Sequence, residues 1–144
     1  MASGEAAWNH GYVEANGVRV HYVRQGAGMP LVLLHGWPEF WFVWRKNIPA
    51  LAKRFDVIAP DLRGFGESEK PSLPEPPGGL LDELVEDLRG IADALGIERF
   101  GIVSHDVGSW PRGSRRGTRR GSLGCSSLTV FTLGSGVVGW NRRA

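Results

Sequence analysis

The sequence contains a single cysteine, Cys125, and no apolar stretch of membrane-spanning length. One cysteine excludes an internal disulfide and any multi-cysteine metal site. Because no run of about 18 apolar residues is present, we expect no transmembrane helix and no membrane partner. Residues 1–8 lack the basic and apolar regions of a secretory signal. With 42% hydrophobic residues the chain is too apolar for wholesale disorder, so we predict a folded cytoplasmic protein.

Acidic residues are missing from the C-terminal part of the chain. All 15 lie within residues 1–110, whereas residues 111–144 carry seven arginines. Glycines interrupt the arginines between 112 and 120 and no apolar period is present, so we expect poor order there. One interpretation is a non-enzymatic protein that binds nucleic acid through this basic tail, by arginine contacts with phosphates. No aromatic residue lies among these arginines, which favours a tail without a selected role, and we expect no nucleic-acid partner.

Hydrophobic patterning predicts an α/β fold with an N-terminal hairpin and parallel central strands. Asn16-Gly17 is a strong hairpin signal, because both turn residues tolerate positive φ. Residues 81–95 have the period of an amphipathic helix that ends at Gly96. Pro49 interrupts a helical spacing of apolar residues, which predicts a kink or two short helices. After the hairpin, strands and helices alternate, as in a parallel sheet. The predicted strands cover residues 12–15, 18–23, 31–34, 56–59 and 99–103.

A sharp turn is predicted directly after the strand at 99–103. Ser104 lies two positions before Asp106 and Gly108 lies two positions after it. This small-x-nucleophile-x-small spacing is that of a nucleophile elbow, with aspartate as the central residue. Such a turn presents the central side chain above the sheet and leaves the next backbone N–H, that of Val107, directed at a developing oxyanion.

Two more loops follow predicted strands. We expect His35, in the loop 35–38, to bond the backbone and shape the loop rather than act as a base. The glycine-containing loop after the strand at 56–59 lacks the Lys-Ser/Thr ending and the G-x-G-x-x-G spacing of phosphate-binding loops. We therefore predict a structural turn there, tied by an Asp61–Arg63 pair. His105 is predicted to be a buried structural histidine.

Residues 12–110 resemble the N-terminal part of an α/β-hydrolase, and more narrowly the epoxide hydrolases and their haloalkane dehalogenase relatives. Three motifs in order carry the resemblance, each after a predicted strand. They are His35-Gly36-Trp37-Pro38, then Asp61-Leu62-Arg63-Gly64-Phe65-Gly66-Glu67-Ser68, then Ser104-His105-Asp106-Val107-Gly108. An aspartate in the nucleophile position narrows the choice to the epoxide hydrolase and dehalogenase group.

The resemblance implies a two-step hydrolysis of a small molecule without a cofactor or metal. Asp106 attacks an epoxide carbon to form an ester, which an activated water then hydrolyses to a diol. The backbone N–H groups of Trp37 and Val107 form the oxyanion hole, and His35, Gly36 and Pro38 shape its loop. An alkyl halide substrate, as in a haloalkane or haloacid dehalogenase, is the alternative; Val107 in place of tryptophan after the nucleophile favours epoxides.

The C-terminal part departs from the family pattern. The resemblance places the catalytic histidine and its acidic partner beyond the elbow, yet no histidine follows Asp106. We therefore expect an inactive, truncated hydrolase domain without a cap domain, and a change of reading frame near Trp110. Residues 128–133 have the pattern of one strand, with no second patterned strand to pair with it. The predicted organisation is a flexible lead-in at 1–11, a partial hydrolase domain at 12–110 and an atypical tail at 111–144.

Overall fold

The computed structural model describes residues 7–72, 79–104, 106, 127–132 and 137–141. These residues form one mixed sheet and three helical segments. The strands are β1 His10–Ala15, β2 Val18–Gly26, β3 Met29–Leu34, β4 Phe55–Pro60, β5 Arg99–Ser104, β6 Ser127–Thr132 and β7 Val137–Asn141. Their order across the sheet is β1-β2-β4-β3-β5-β6-β7. The helical segments are a 3₁₀ turn at Trp41–Trp44, α1 Ile48–Leu51 and α2 Leu80–Ala94.

The first two strands form the predicted hairpin. Ala15 pairs with Val18, and the two residues between them both have positive φ, 49° at Asn16 and 73° at Gly17. The turn chemistry predicted from the sequence is therefore confirmed. Strand β1 begins at His10, two residues before the predicted strand.

The central strands are parallel, as predicted. Strand β3 lies between β4 and β5 and pairs in parallel with both, while β2 joins β4 in antiparallel fashion. The carboxyl ends of β3, β4 and β5 therefore meet at one edge of the sheet. The loop 35–38, the loop 61–68 and Asp106 follow these three strand ends, which places all three sequence motifs at that edge.

Two strands lie in the region predicted to be a tail, and here the prediction is wrong in part. Strand β6 pairs in parallel with β5, from Arg99 with Ser127 to Ser104 with Thr132, and β7 pairs antiparallel with β6. The single strand expected there thus has a partner on each side. The arginines and glycines that precede β6 have no hydrophobic period, so the sequence pattern did not indicate this strand pairing. Most of the range 111–144 lies outside the described residues, so its poor order stays a prediction.

Apolar side chains cover both faces of the sheet. On one face Val32 and Leu34 pack with Leu88 of α2. On the other face Leu33 packs with Trp41 and with residues of α1. The alternation along β3 sends successive side chains to opposite faces, which is why its run of apolar residues is continuous.

Both predicted helix signals have the expected effect. Pro49 lies in the first turn of α1, and two short helical segments replace one long helix. At the end of α2, Gly96 has a φ of 66°, and its N–H donates to the carbonyl of Asp93. The N–H of Ile97 donates to the carbonyl of Ala92, which completes a Schellman motif.

Of the helices that the structure describes, none has the length and apolar character needed to cross a membrane.

Candidate active site

Asp106 lies two residues beyond the end of β5, with an exposed side chain. Its φ is 53°, in the left-handed region that residues other than glycine rarely adopt. Strained backbone of this kind concentrates at functional sites. His105 and Val107 lie outside the described residues, so the buried position of His105 and the oxyanion role of the Val107 N–H stay predictions.

The loop after β3 holds the Asp106 carboxylate from one side. The backbone N–H of Trp37 donates to Oδ2 of Asp106 over 2.8 Å. The Trp37 side chain is 69% exposed, unlike Trp41 and Trp44, which are buried in the core. The structure thus brings together two predicted site residues that are 69 positions apart in the sequence.

Gly36 is required by the close approach of Asp106 to this loop. A Cβ atom at position 36 would lie 2.7 Å from the Asp106 Cβ and 2.9 Å from its Oδ2. Any larger residue would displace the carboxylate from the Trp37 N–H. The carbonyl of Gly36 accepts from the N–H of Glu39 over 2.9 Å, and the Trp37–Pro38 peptide bond between them is cis.

His35 is fully buried and bonded to backbone on both sides. Its Nε2 accepts from the N–H of Leu62 over 2.9 Å, which leaves the proton of the neutral ring on Nδ1. Nδ1 then donates to the carbonyl of Gly36, also at 2.9 Å. The ring therefore joins the loop after β3 to the loop after β4, as expected for a structural, loop-shaping histidine.

Asp61 is the centre of the loop after β4, but its predicted partner is wrong. Its Oδ1 accepts from the N–H of Trp41 over 2.7 Å, and its Oδ2 accepts from the N–H of Glu67 over 2.9 Å and bonds Nδ1 of His21 over 2.8 Å. Asp61 and His21 are both fully buried. Since the two are 40 positions apart, no local pattern could reveal the pair.

Arg63 instead extends towards α2. Its guanidinium forms a bidentate pair of hydrogen bonds with the Asp87 carboxylate and lies 3.2 Å from a carboxylate oxygen of Glu83. The hydrogen bond with Asp87 raises the pKa of Arg63. The turn is structural, as predicted, but Arg63 ties it to a helix rather than to Asp61.

Gly66 and Ser68 complete the enclosure of Asp61. Gly66 has a φ of 49°, and a Cβ atom there would overlap the Asp61 carboxylate. The Ser68 hydroxyl donates to the carbonyl of Asp61 over 2.7 Å and accepts from the N–H of His21 over 2.9 Å.

A tyrosine–glutamate pair lies at the outer side of this loop. The Tyr12 hydroxyl donates to Oε2 of Glu67 over 2.5 Å. This hydrogen bond holds the pKa of the Glu67 carboxyl below its usual value and raises the pKa of the Tyr12 phenol. Within the described part of the chain, one group of side chains could hold a metal ion, formed by His10, His21 and Glu67, and Asp106 is not part of it.

Comparison with known proteins identifies the scaffold. A family model described as alpha/beta hydrolase fold matches residues 29–110. A soluble epoxide hydrolase of Corynebacterium sp. (strain C12) is 50% identical over 99 residues, 69% of this chain and 33% of that protein. Bifunctional epoxide hydrolase 2 of Sus scrofa is 43% identical over 105 residues, 72% of this chain and 19% of that protein.

Solved structures agree with the sequence relatives. The epoxide hydrolase CorEH without ligand has a TM-score of 0.65 at 48% identity, covering 71% of this chain and 35% of that chain. The epoxide hydrolase VrEH1 from Vigna radiata has a TM-score of 0.64 at 38% identity, covering 70% and 32%. The chain thus spans about a third or less of the length of these relatives. It belongs to the α/β-hydrolase family, and the part that matches is similar to epoxide hydrolases.

Proposed function

We propose that the chain carries the nucleophile half of an epoxide hydrolase-like site, with Asp106 as the nucleophile. One observation carries the proposal: an exposed carboxylate at positive φ beyond β5 accepts a hydrogen bond from the Trp37 N–H over 2.8 Å. An aspartate is ionised at neutral pH and needs no base for activation. The relatives reported above are named epoxide hydrolases, which supports an epoxide over an alkyl halide as substrate.

The two carboxylate oxygens have different roles in the first step. Oδ2 is held by the Trp37 N–H, so in the proposed step Oδ1 attacks an epoxide carbon. A carbon–oxygen bond forms while the ring carbon–oxygen bond breaks, and the released oxygen takes a proton from solvent. The product is a hydroxyalkyl ester of Asp106, in which Oδ2 is the carbonyl oxygen.

The second step uses the same N–H group. When water attacks the ester carbon, negative charge develops on Oδ2, to which the Trp37 N–H already donates. The Val107 N–H is the proposed second donor. The attacking water gives one proton to solvent. When the intermediate collapses, its second proton goes to the departing alkoxide, which releases a diol and restores the carboxylate.

The second step needs a base that the described histidines do not supply. His35 is bonded to backbone through both ring nitrogens, His21 is bonded to Asp61, and His10 is bonded to His21. No histidine follows Asp106 in the sequence. We therefore expect the 144-residue chain to form the ester and to hydrolyse it slowly, without steady turnover.

Mass spectrometry tests the formation of this ester directly. The chain is incubated with a terminal aryl epoxide such as styrene oxide and quenched in acid. The mass of the intact chain is measured first, and digestion then locates the modified residue. We expect a mass increase of one epoxide, located on Asp106, that is absent from Asp106→Asn. Asp93→Asn is the matched control, because Asp93 is an exposed aspartate on α2 and should leave labelling unchanged.

Labelling of the Asp106→Asn variant to the extent of the parent chain would contradict the proposal. So would the appearance of chloride from a terminal chloroalkane faster than epoxide labelling, since that would favour a dehalogenase.

Nucleic-acid binding through arginines 112–120 lies outside the described residues and has no structural support. Salt-sensitive binding lost on deletion of residues 111–144 would be needed to establish it. The cytoplasmic location stays a prediction.

A further inference from the structure

Two imidazole rings and a carboxylate converge where β1, β2 and the loop after β4 meet. Nδ1 of His10 lies 2.9 Å from Nε2 of His21. One ligand atom from each of His10, His21 and Glu67 lies within 4.8 Å of the others. His10 and Glu67 are exposed, whereas His21 is fully buried, so the group is open to solvent on one side.

We propose that His10, His21 and Glu67 form a binding site for a divalent transition-metal ion of the Zn²⁺ class. Two imidazole nitrogens, one carboxylate and a position open to water are the ligand set of zinc sites with three protein ligands. Mg²⁺ and Ca²⁺ prefer oxygen ligands throughout, so the two nitrogens favour the borderline metals. The site does not depend on Asp106 or on the proposed hydrolase function.

The orientation of the two rings supports the proposal. Their centroids are 5.1 Å apart and their planes are inclined by only 26°, so with nitrogens 2.9 Å apart the rings meet edge to edge. Their nitrogens therefore face each other. Zn–N bonds of about 2.0–2.1 Å in tetrahedral geometry would place the two nitrogens about 3.3 Å apart. A small tilt of the exposed His10 ring reaches that separation.

The tautomer of His21 is set for metal binding. Its Nδ1 donates to Oδ2 of Asp61 over 2.8 Å, which leaves the lone pair of Nε2 directed at His10. In the metal-free chain His10 Nδ1 donates its proton to that lone pair. On binding, the metal replaces this proton, which moves to Nε2 of His10. In metal sites a ligating histidine commonly donates its other ring N–H to a carboxylate, which fixes the tautomer and the orientation of the ring.

The carboxylate ligand is also oriented in advance. The Tyr12 hydroxyl donates to Oε2 of Glu67 over 2.5 Å, and the Glu67 N–H donates to Asp61. The backbone and side chain of Glu67 are thus both fixed relative to His21. Ligands drawn from a hairpin and a distant loop have no sequence spacing that marks them, which explains why the sequence predicted no metal.

The test uses the full chain, stripped with EDTA and dialysed. Co²⁺ is titrated with visible absorption as the readout, and Zn²⁺ is titrated by calorimetry and then used to displace Co²⁺. We expect one equivalent of either metal per chain. His10→Ala and Glu67→Gln should each weaken binding by more than about tenfold, the lower end of the loss caused by removing an outer-shell partner, because each variant alters a ligand itself. Glu14→Gln, an exposed glutamate on β1, is the matched control and should bind as the parent does.

Tyr12→Phe keeps all three ligands and removes only the hydrogen bond that orients Glu67, so a loss of severalfold is expected. Both altered ligands are exposed, and far-UV circular dichroism checks that the variants fold; if His10→Ala does not, Glu67→Gln carries the test. Three results would each overturn the proposal. They are parent-like affinity in the folded ligand variants, equal displacement of Co²⁺ by Mg²⁺, and a thiolate charge-transfer band abolished by Cys125→Ser. Epoxide labelling is not a readout here, so failure of either proposal leaves the other standing.

Discussion

Two aspartates at the same edge of the sheet have opposite environments. Asp61 follows β4, is fully buried and is enclosed by His21 and two backbone N–H groups. Asp106 follows β5, is exposed and accepts from the N–H of Trp37. Both carboxylates stand at the carboxyl end of a parallel strand, so the fold alone does not distinguish them.

The difference lies in what closes around each carboxylate. Around Asp61, Gly66 allows the chain to fold directly over the oxygens, and the bonds fix three separate segments. Around Asp106, Gly36 allows the loop after β3 to approach the carboxylate closely. Asp61 joins segments and is fully buried, whereas Asp106 is exposed, as the proposed nucleophile must be. The two carboxylates occupy equivalent places in the fold, and solvent exposure is what distinguishes the candidate nucleophile from the structural aspartate.

Asp61→Ala should produce the largest loss of stability. It leaves the buried donors of His21 and Trp41, and the part-buried N–H of Glu67, without an acceptor. Breaking a buried paired group costs about 3–5 kcal/mol of unfolding free energy. Urea denaturation followed by circular dichroism measures it. Asp93→Ala, at an exposed helical position, should change the unfolding free energy by less than about 0.5 kcal/mol. A cost below about 1 kcal/mol for Asp61→Ala would mean that the enclosure does not hold the segments together.

Gly66→Ala should have the next largest effect. The new Cβ overlaps the Asp61 carboxylate, and the φ of 49° is unfavourable for any residue with a Cβ. We expect a cost of about 2–3 kcal/mol in unfolding free energy, from strain and from displacement of Asp61. Gly64→Ala isolates the backbone component, because Gly64 lies in the same loop at a φ of 85° with nothing within 4 Å of its added Cβ. Equal losses in the two variants would remove the contact with Asp61 from the explanation.

Tyr12→Phe should lower the unfolding free energy by a smaller amount, which depends on pH. The hydroxyl that it removes bonds Glu67, in the loop that encloses Asp61. The Tyr12 hydroxyl lowers the pKa of Glu67, so it stabilises the fold above the unfolded pKa of glutamate. That contribution is lost as pH falls through the lowered pKa of the folded state. In the metal-free variant, carbon-13 NMR of the side-chain carboxyl should therefore show a higher pKa for Glu67 than in the parent chain, because the first cause of the lowered pKa is removed. An unchanged pKa would assign the shift to other groups; Tyr22→Phe is the control tyrosine.

Local patterns predicted the parts of the fold whose causes are local. The Asn16-Gly17 turn, the stop at Gly96 and the interruption at Pro49 each depend on the chemistry of one or two residues, and each is confirmed. The parallel pairing of the central strands was predicted from the alternation of strands and helices after the hairpin, and it is confirmed. The β6–β7 pairing did not, because the preceding arginines and glycines have no period that indicates a sheet.

The sequence predicted the residues of the candidate site that belong to its motifs, but not the contacts that distant residues make with them. The loop at 35–38 and Asp106 were placed together by resemblance, and the 2.8 Å bond from the Trp37 N–H agrees with that placement. The enclosure of Asp61 was missed, since its partner His21 comes from a strand 40 positions away. Contacts between distant segments are settled by the register of β2 on β4, which composition and spacing do not specify.

Asp106→Gly should have the smallest effect on stability and the clearest effect on chemistry. Glycine adopts a φ of 53° without the steric cost that aspartate bears there, which offsets its greater freedom in the unfolded chain. Because the site is exposed, water can accept from the Trp37 N–H in place of the carboxylate. Urea denaturation should therefore give an unfolding free energy equal to that of the parent, or higher by up to about 1 kcal/mol. Epoxide labelling should vanish. A loss of more than about 1 kcal/mol would instead assign Asp106 a structural role like that of Asp61, and the contrast between the two carboxylates would no longer hold.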